Sequence, residues 1–285
     1  MLAKKRKFSG HTPTWCPGCG DWAIGGAIKE ALANQDLDPS GVGVVFGIGC
    51  SGNMNDFLNA YAYHALHGRA IPTAVGLKLA NHSMPTLVIA GDGDTYGEGG
   101  NHFFHACRGN HDLTIIVHDN GVYGLTTGQV APTALKGTIS KSTPTGIIER
   151  SVSPLAFAIS QGATFVAQSF AGDIPHMREM IELGMKHKGL SLVNVLQPCV
   201  TFNRVNTYQY YLKKSYRVGA DYDPSSYAGA LVKAIEMDEE KFPLGVIYQT
   251  ASQPYHEQVP AYQQDKPLVQ IPRISTLHDL VEEFR

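Results

Sequence analysis

"TLVIAGDGDTYGEGGNHFFHACRGNHDLTIIVHDN", residues 86–120, decides how the chain folds. "TLVIA" and "LTIIVH" are short apolar runs rich in Val and Ile, the composition of strands buried on both faces. Between them lie a glycine turn, Gly91-Asp92-Gly93-Asp94, and a stretch long enough for a helix. Strand, turn, helix, strand is a βαβ unit, and such a unit makes its two strands parallel. Outward from it, similar runs recur at residues 42–48, 163–168, 192–196 and 244–249. Helical patterns separate them. Ala23, Ile24, Ala27, Ile28, Ala31 and Leu32 form one apolar stripe, with Asp21 placed to cap it. Ser153 and Pro154 read as N-cap and first helical position, and Asp173 opens a helix expected to end near Gly189. The expected fold class is α/β, a mainly parallel sheet with helices on both faces.

The chain has 285 residues, 43% of them hydrophobic and 17% charged, the balance of a globular core. With 23 basic and 25 acidic residues the net charge is −2, which gives no electrostatic case for nucleic acid. No apolar stretch approaches a membrane span. The basic start, Lys4 to Lys7, lacks an apolar run behind it and reads as a loose surface arm rather than a secretory signal. A cytoplasmic protein is expected, and there five cysteines suggest metal or catalysis rather than disulfides. After Ala251, Pro254, Pro260, Pro267 and Pro272 interrupt regular structure. An irregular C-terminal arm is expected, closed by a short helix near residues 277–284.

Ligands of an open parallel sheet bind beyond the carboxyl ends of its strands. There the sequence places Gly49, Cys50 and Ser51, then the Gly91–Asp94 turn, then Asp119 and Asn120, then Gln197, Pro198 and Cys199. A Gly-Asp-Gly turn that enters a helix offers backbone N–H groups to a phosphate. Asp92 beside that phosphate requires a cation, and Mg²⁺ accepts carboxylate, amide and phosphate oxygens together. Asn120, after the next strand, supplies the amide oxygen. Alone, the turn would read as tight geometry with Asp92 capping a helix; with Asn120 in place a diphosphate–Mg²⁺ grip is the better reading. Cys16 and Cys19, three apart, join Cys50 and Cys199 as thiols outside helical patterns. Four such thiols suit one zinc ion or one [4Fe–4S] cluster, and their spacing leaves both open. Cys107, inside the helical stretch, reads as a buried apolar thiol. Ser51 has no nucleophile elbow around it, and Tyr96 and Tyr123 fit either core or pocket wall.

Asp92 with Asn120 resembles the thiamine diphosphate motif, in which a backbone carbonyl, here that of Val122, is the third Mg²⁺ ligand. "TWCPGCG", "FGIGCSG", "LHGRA", "GLKLAN", "GDGDTYGEGGNHFFHACRGN", "DNGVYGLTTGQ" and "PCVTFN" together resemble the β subunit of 2-oxoacid:ferredoxin oxidoreductases, in register from about residue 11 to about residue 208. The resemblance implies a thiamine diphosphate-binding fold. It implies a domain at residues 1–205 carrying thiamine diphosphate, Mg²⁺ and a [4Fe–4S] cluster on Cys16, Cys19, Cys50 and Cys199. It implies an extension at residues 206–285 that packs on this domain and on a partner. Gly49, Cys50, Gly91, Asp92, Gly93, Asp94, Asn120, Val122, Tyr123, Gly124, Leu125 and Thr126 become the cofactor-binding set, and His67 and Arg69 the candidates for contact with substrate.

The implied activity is reversible, coenzyme A-dependent oxidative decarboxylation of a 2-oxo acid, with electrons passed to ferredoxin. It would need an α subunit, in an (αβ)2 assembly; the resemblance places the pyrimidine-side Glu on a different subunit or domain, and no residue of this chain is assigned to that role. "YGLTTGQ", from Tyr123 to Gln129, resembles enzymes of 2-oxoglutarate or of several 2-oxo acids more than strict pyruvate enzymes. Related sequences can carry Lys where this chain has Thr127. The missing charge is then expected from Arg69, Lys78 or the partner, because an unpaired buried carboxylate is costly. 2-Oxoglutarate is the first expectation and pyruvate, or a broad range, the second. Rival readings are a non-oxidative thiamine diphosphate decarboxylase or carboligase, and a zinc-binding interaction module.

Overall fold

The structure, a computed structural model, describes residues 6–239, 241–262, 266–271 and 281–282. Among the described residues there are ten strands: β1 (Gly43–Phe46), β2 (Tyr61–His64), β3 (Thr86–Gly91), β4 (Thr114–Asp119), β5 (Val122–Tyr123), β6 (Gln129–Val130), β7 (Phe165–Phe170), β8 (Ser191–Leu196), β9 (Ser215–Arg217) and β10 (Phe242–Gln249). Eight form one sheet in the order β2-β1-β3-β4-β8-β7-β10-β9, and β5 and β6 form a separate ribbon. Pairing is parallel throughout the large sheet except between β10 and β7.

All six expected strands are there. The four missed ones are short, and β2 is exposed at every residue, so it carries no apolar run to read.

Alternation along the central strands splits the core in two. Leu87 and Ile89 of β3 face one cluster and Val88 and Ala90 the other. Helices α1 (Asp21–Asn34) and α5 (Ile174–Lys186) cover the first face through Ile24, Ile28, Met177 and Ile181. Helices α2 (Ala70–Ala80), α3 (Gly100–Gly109), α4 (Pro154–Ser160) and α7 (Tyr227–Ile235) cover the second through Ile71, Phe103, Leu155 and Ala230. A short helix α6 (Tyr208–Lys214) seals the β8–β10 end with Tyr211 against Phe170 and Phe242. This is the α/β architecture the sequence implies.

Several local expectations change. Asp21 does not cap α1: Gly20 holds the N-cap position, and the Asp21 side chain turns inward to full burial. Ser153 and Asp173 do take N-cap positions, the latter accepting from His176 N at 3.3 Å, although α5 stops at Lys186. Residue 6 onward is not a loose arm, because Phe8 is fully buried and Lys7 Nζ lies 3.1 Å from Asp38 Oδ1. The tail wraps the amino edge of the sheet, where Asn110 Nδ2 donates to Ser252 O and Gln253 O and Tyr255 N donates to Asn110 O. The expected closing helix lies outside the described residues except for Val281 and Glu282, which are helical.

Candidate functional site

In-register parallel pairing brings the strand ends together: Gly91 of β3 lies opposite His118 of β4, and Asp119 opposite Leu196 of β8. The loops that follow therefore share one edge. The chain after β3 enters a π-helical turn (Gly93–Glu98) that runs on into α3. Asp94 holds this turn to its neighbours. Its Oδ1 accepts from Ile48 N at 3.2 Å and Gly68 N at 2.9 Å and lies 2.6 Å from His67 Nδ1.

Asp92 Oδ2 accepts from Gly121 N at 2.8 Å and from the Thr133 hydroxyl. Burial, and then the neighbouring Asp119 carboxylate, hold Asp92 well above the usual carboxylate range, while these hydrogen bonds oppose the shift. Two carboxylates buried together are a local excess of negative charge that a divalent cation would neutralise. Asn120 is fixed at both ends, donating from Nδ2 to Gln197 Oε1 at 2.7 Å and accepting at Oδ1 from Val122 N at 3.0 Å. Asn203 Nδ2 braces the same loop through Asn120 O at 2.7 Å.

Gly49, Cys50, the four residues 91–94, Asn120 and the five residues 122–126 all line one cavity, together with His67. Ser51 Oγ and His118 Nε2 belong to the same cavity and are buried without a hydrogen-bond partner among the described residues. Such orphans suit a polar ligand. Tyr123 is wall, donating to Gly93 O, whereas Tyr96 packs on Phe103 and donates to Asn194 Oδ1. Arg69 does not line the cavity; it is exposed and its Nη1 lies 2.9 Å from His102 Nε2. Lys78 is ruled out as the missing charge. It sits at the amino edge, the opposite end of the sheet, with Nζ 2.7 Å from Asp112 Oδ2.

Cys16, Cys19, Cys50 and Cys199 line a second cavity of about 200 Å³, where a single water needs ~10–15 Å³. Among the described residues no three His, Cys, Asp or Glu side chains gather around a single ion. A Cβ on Gly124 would stand 3.5 Å from Cys50 Sγ and 3.8 Å from Cys199 Sγ, so glycine leaves the space between these sulfurs open. The loops are held by indole N–H groups: Trp15 Nε1 donates to Cys50 O at 2.7 Å and Trp22 Nε1 to Cys16 O at 3.1 Å. Burial pushes the Cys50 thiol up to about 12, helped by Asp21, Cys199 and Cys16, and raises Cys19 as well, with Asp21 adding to it. Thiols crowded this way stay protonated unless a metal centre supplies positive charge. Cys107 is fully buried on α3, away from this group, as expected.

The two cavities share Cys50, Asn120, Gly124, Leu125 and Gln197 as a common wall. Sequence reasoning placed Gln197 at this edge without a role, where it donates to Cys19 Sγ at 3.2 Å, and gave Asn203 none either. It also missed the pairing of Asp21 with His118, 2.6 Å apart. A signal existed for His118, an imidazole directly after the apolar run at residues 115–117 of a fully buried strand. Nothing local pointed to its partner.

Residues 47–195 match the family model described as thiamine pyrophosphate enzyme, C-terminal TPP binding domain. Residues 199–264 match the model for the C-terminal part of the pyruvate ferredoxin oxidoreductase beta subunit. The 2-oxoacid:ferredoxin oxidoreductase subunit beta of Saccharolobus solfataricus is 42% identical, over 94% of this chain and 90% of that protein. The 2-oxoglutarate oxidoreductase subunit KorB of Mycobacterium tuberculosis is 40% identical over 66% of this chain and 51% of that one. Among solved structures, a 2-oxoglutarate:ferredoxin oxidoreductase from Magnetococcus marinus with 2-oxoglutarate, coenzyme A and succinyl-CoA bound is similar at a TM-score of 0.88. It is 33% identical, with 99% of this chain and 95% of that chain covered.

Proposed function

Since the chain belongs to the β-subunit family of 2-oxoacid:ferredoxin oxidoreductases, we propose that it houses the decarboxylating centre of a coenzyme A-dependent 2-oxoglutarate:ferredoxin oxidoreductase. Asp92, Asn120 and the Val122 carbonyl hold Mg²⁺ against the diphosphate of thiamine diphosphate, and Cys16, Cys19, Cys50 and Cys199 hold one [4Fe–4S] cluster. The observation that carries this reading is the adjacency of a cavity lined by the strand-end motifs and a cavity lined by four thiols, with one wall between them. The buried orphans in the first cavity and the glycine gap in the second fit the two groups. When bound, thiamine diphosphate supplies the carbon nucleophile and electron sink for decarboxylation, and the cluster accepts electrons singly.

The chain's own residues prepare this chemistry. Asp94 fixes the Gly47–Ile48 and His67–Gly68 backbones before any ligand arrives, which reduces the ordering cost of binding. Tyr123 and Leu125 wall the cavity with apolar surface and limit water. His67, held by Asp94, presents a polar edge there. 2-Oxoglutarate is preferred over pyruvate because relatives and the solved neighbour named above act on or hold it. The α subunit supplies the balancing cation, since Arg69 does not line the cavity. The segment 206–285 packs on this domain through α6, β9, α7 and β10 and also meets the α subunit, within a cytoplasmic (αβ)2 assembly; no described helix is long and apolar enough to cross a membrane.

The test is iron and sulfide content with the visible spectrum of the anaerobically purified complex. Cys50→Ala or Cys199→Ala should abolish the cluster signal and Cys107→Ala should preserve it. The reverse outcome refutes the assignment. A kcat/KM comparison of the two acids then decides the substrate.

A further inference from the structure

The fully buried pair Asp21–His118 has been given no specific contact to a ligand above. Asp21 stands at the first turn of α1 and is 0% exposed, and His118, next to last in β4, is 1% exposed. Asp21 Oδ1 lies 2.6 Å from His118 Nδ1, while Oδ2 accepts from Cys19 Sγ at 3.3 Å. A carboxylate on one ring nitrogen fixes the ring's orientation and leaves the other nitrogen to act. Here that other nitrogen, Nε2, is buried, lines the cofactor cavity and has no partner among the described residues.

The strand around it, with Ile115, Ile116 and Val117, is apolar and buried, so nothing in the packing of β4 itself requires a polar Nε2 at this position. A buried polar atom left unmade is instead destabilising. Two further facts aim the group at a ligand. Gly91, opposite His118 in the register, carries no side chain, and a Cβ there would stand 4.0 Å from His118 O. Ser51 Oγ, the second orphan of the cavity, lies 3.6 Å from where a Cβ on Gly91 would stand. Both unpartnered polar atoms thus belong to residues that line the cavity of the turn proposed to take the diphosphate.

We infer that His118 Nε2 makes a direct hydrogen bond to thiamine diphosphate and that Asp21 is its positioning residue. The inference rests on the thiamine reading proposed above. Through Asp21 the same pair touches the cavity of the thiols, so one carboxylate orients a wall residue of each cavity.

The experiment is calorimetric titration of Mg²⁺–thiamine diphosphate into the assembled oxidoreductase stripped of that cofactor, with thermal unfolding recorded in parallel. His118→Asn keeps an amide near Nδ1 for Asp21 but removes the group at Nε2. It should bind roughly tenfold or more weakly with unfolding little changed. His118→Gln keeps a polar group at the place of Nε2 and should bind within about threefold of the parent. If the pair merely ties α1 to the sheet, the order reverses: His118→Asn binds like the parent and His118→Gln loses both stability and affinity. That result overturns the inference and leaves the thiamine reading intact. Should His118→Asn fail to fold, His118→Met against His118→Gln reads the polar group at nearly constant shape. Equal affinities for those two overturn the inference. A parent complex that binds no thiamine diphosphate overturns both.

Discussion

At the amino edge of the sheet, buried polar groups answer one another. Lys78 meets Asp112 at 2.7 Å and donates to Met84 O. Asn110 Oδ1 accepts from Thr164 Oγ1 and Leu190 N at 2.8 Å each, and His187 Nε2 lies 2.8 Å from that hydroxyl. His82 Nδ1, on a ring stacked against His256, is the exception. At the carboxyl edge the picture inverts. Ser51 and His118 have atoms without partners, Asp92 and Asp119 are buried together, and the Cys19 and Cys50 thiols are pushed up by burial. Both edges hold cavities of similar size, about 220 Å³ for the amino edge and about 200 Å³ for the thiols, so volume does not distinguish them. What distinguishes them is whether the protein satisfies its own buried groups, and where it does not, a ligand completes the set.

The contrast breaks most directly at Asp92. Asp92→Ala should weaken Mg²⁺–thiamine diphosphate binding by roughly 100-fold or more, on the order of 3 kcal/mol. It should not lower the unfolding temperature of the cofactor-free protein, because it also relieves the crowding with Asp119. Retained affinity in calorimetry would sink the assignment. The amino edge should respond in the opposite way. Lys78→Met strands Asp112, which is 26% exposed and so partly rescued by water. A stability loss of about 2 kcal/mol by denaturant titration is expected, with cofactor affinity unchanged. A parallel loss of affinity would mean that the two edges are not separate.

His176 sharpens the comparison between histidines. It is buried like His118, but its Nδ1 has a protein partner, Ser169 Oγ, at 2.9 Å. Burial, and then Arg217, lower its value to about 4 from the ordinary 6.5. Between those two values the unfolded chain binds a proton that the folded one does not. Stability should therefore fall as pH drops from about 6.5 to about 4, by on the order of 1–2 kcal/mol. His176→Gln should flatten that slope in unfolding curves taken across the range.

The smallest effect belongs to Thr127, which sits at φ +75° in the loop beside the cavity. A β-branched residue is strained there. Thr127→Asn should stabilise by ~0.5–1 kcal/mol, read as a higher unfolding temperature with cofactor affinity unaltered. No gain would indicate that the loop relaxes around threonine.

The part of this site that was legible in the sequence follows from one rule. Parallel strands end at one edge, so the residues after residues 46, 91, 119 and 196 had to meet there, and they do. The Gly-Asp-Gly turn, Asn120, Cys50 and Cys199 were readable because each lies at or just after a strand end, whereas Cys16 and Cys19, ahead of α1, were readable from their own spacing. Gln197 stood in plain view beside Cys199, but its bond to Asn120 is a side-chain matter that no spacing encodes. Asp21 was misread because an acidic residue at a helix start has two uses, capping and reaching inward, and only the packing of α1 on β4 selects between them. β2 was missed because a strand exposed at every residue leaves no hydrophobic period.

Asp94 carries a consequence for how such a sequence can drift. One oxygen engages Ile48 N, Gly68 N and His67, and the other lies where a Cβ on Gly47 would stand, only 2.0 Å away. Gly47 therefore cannot vary while Asp94 stays, and Asp94 cannot vary without releasing two distant loops at once. No single second-site change restores all of these contacts. The positions are epistatically locked, and homologous chains should either keep both residues or differ at several of these places together.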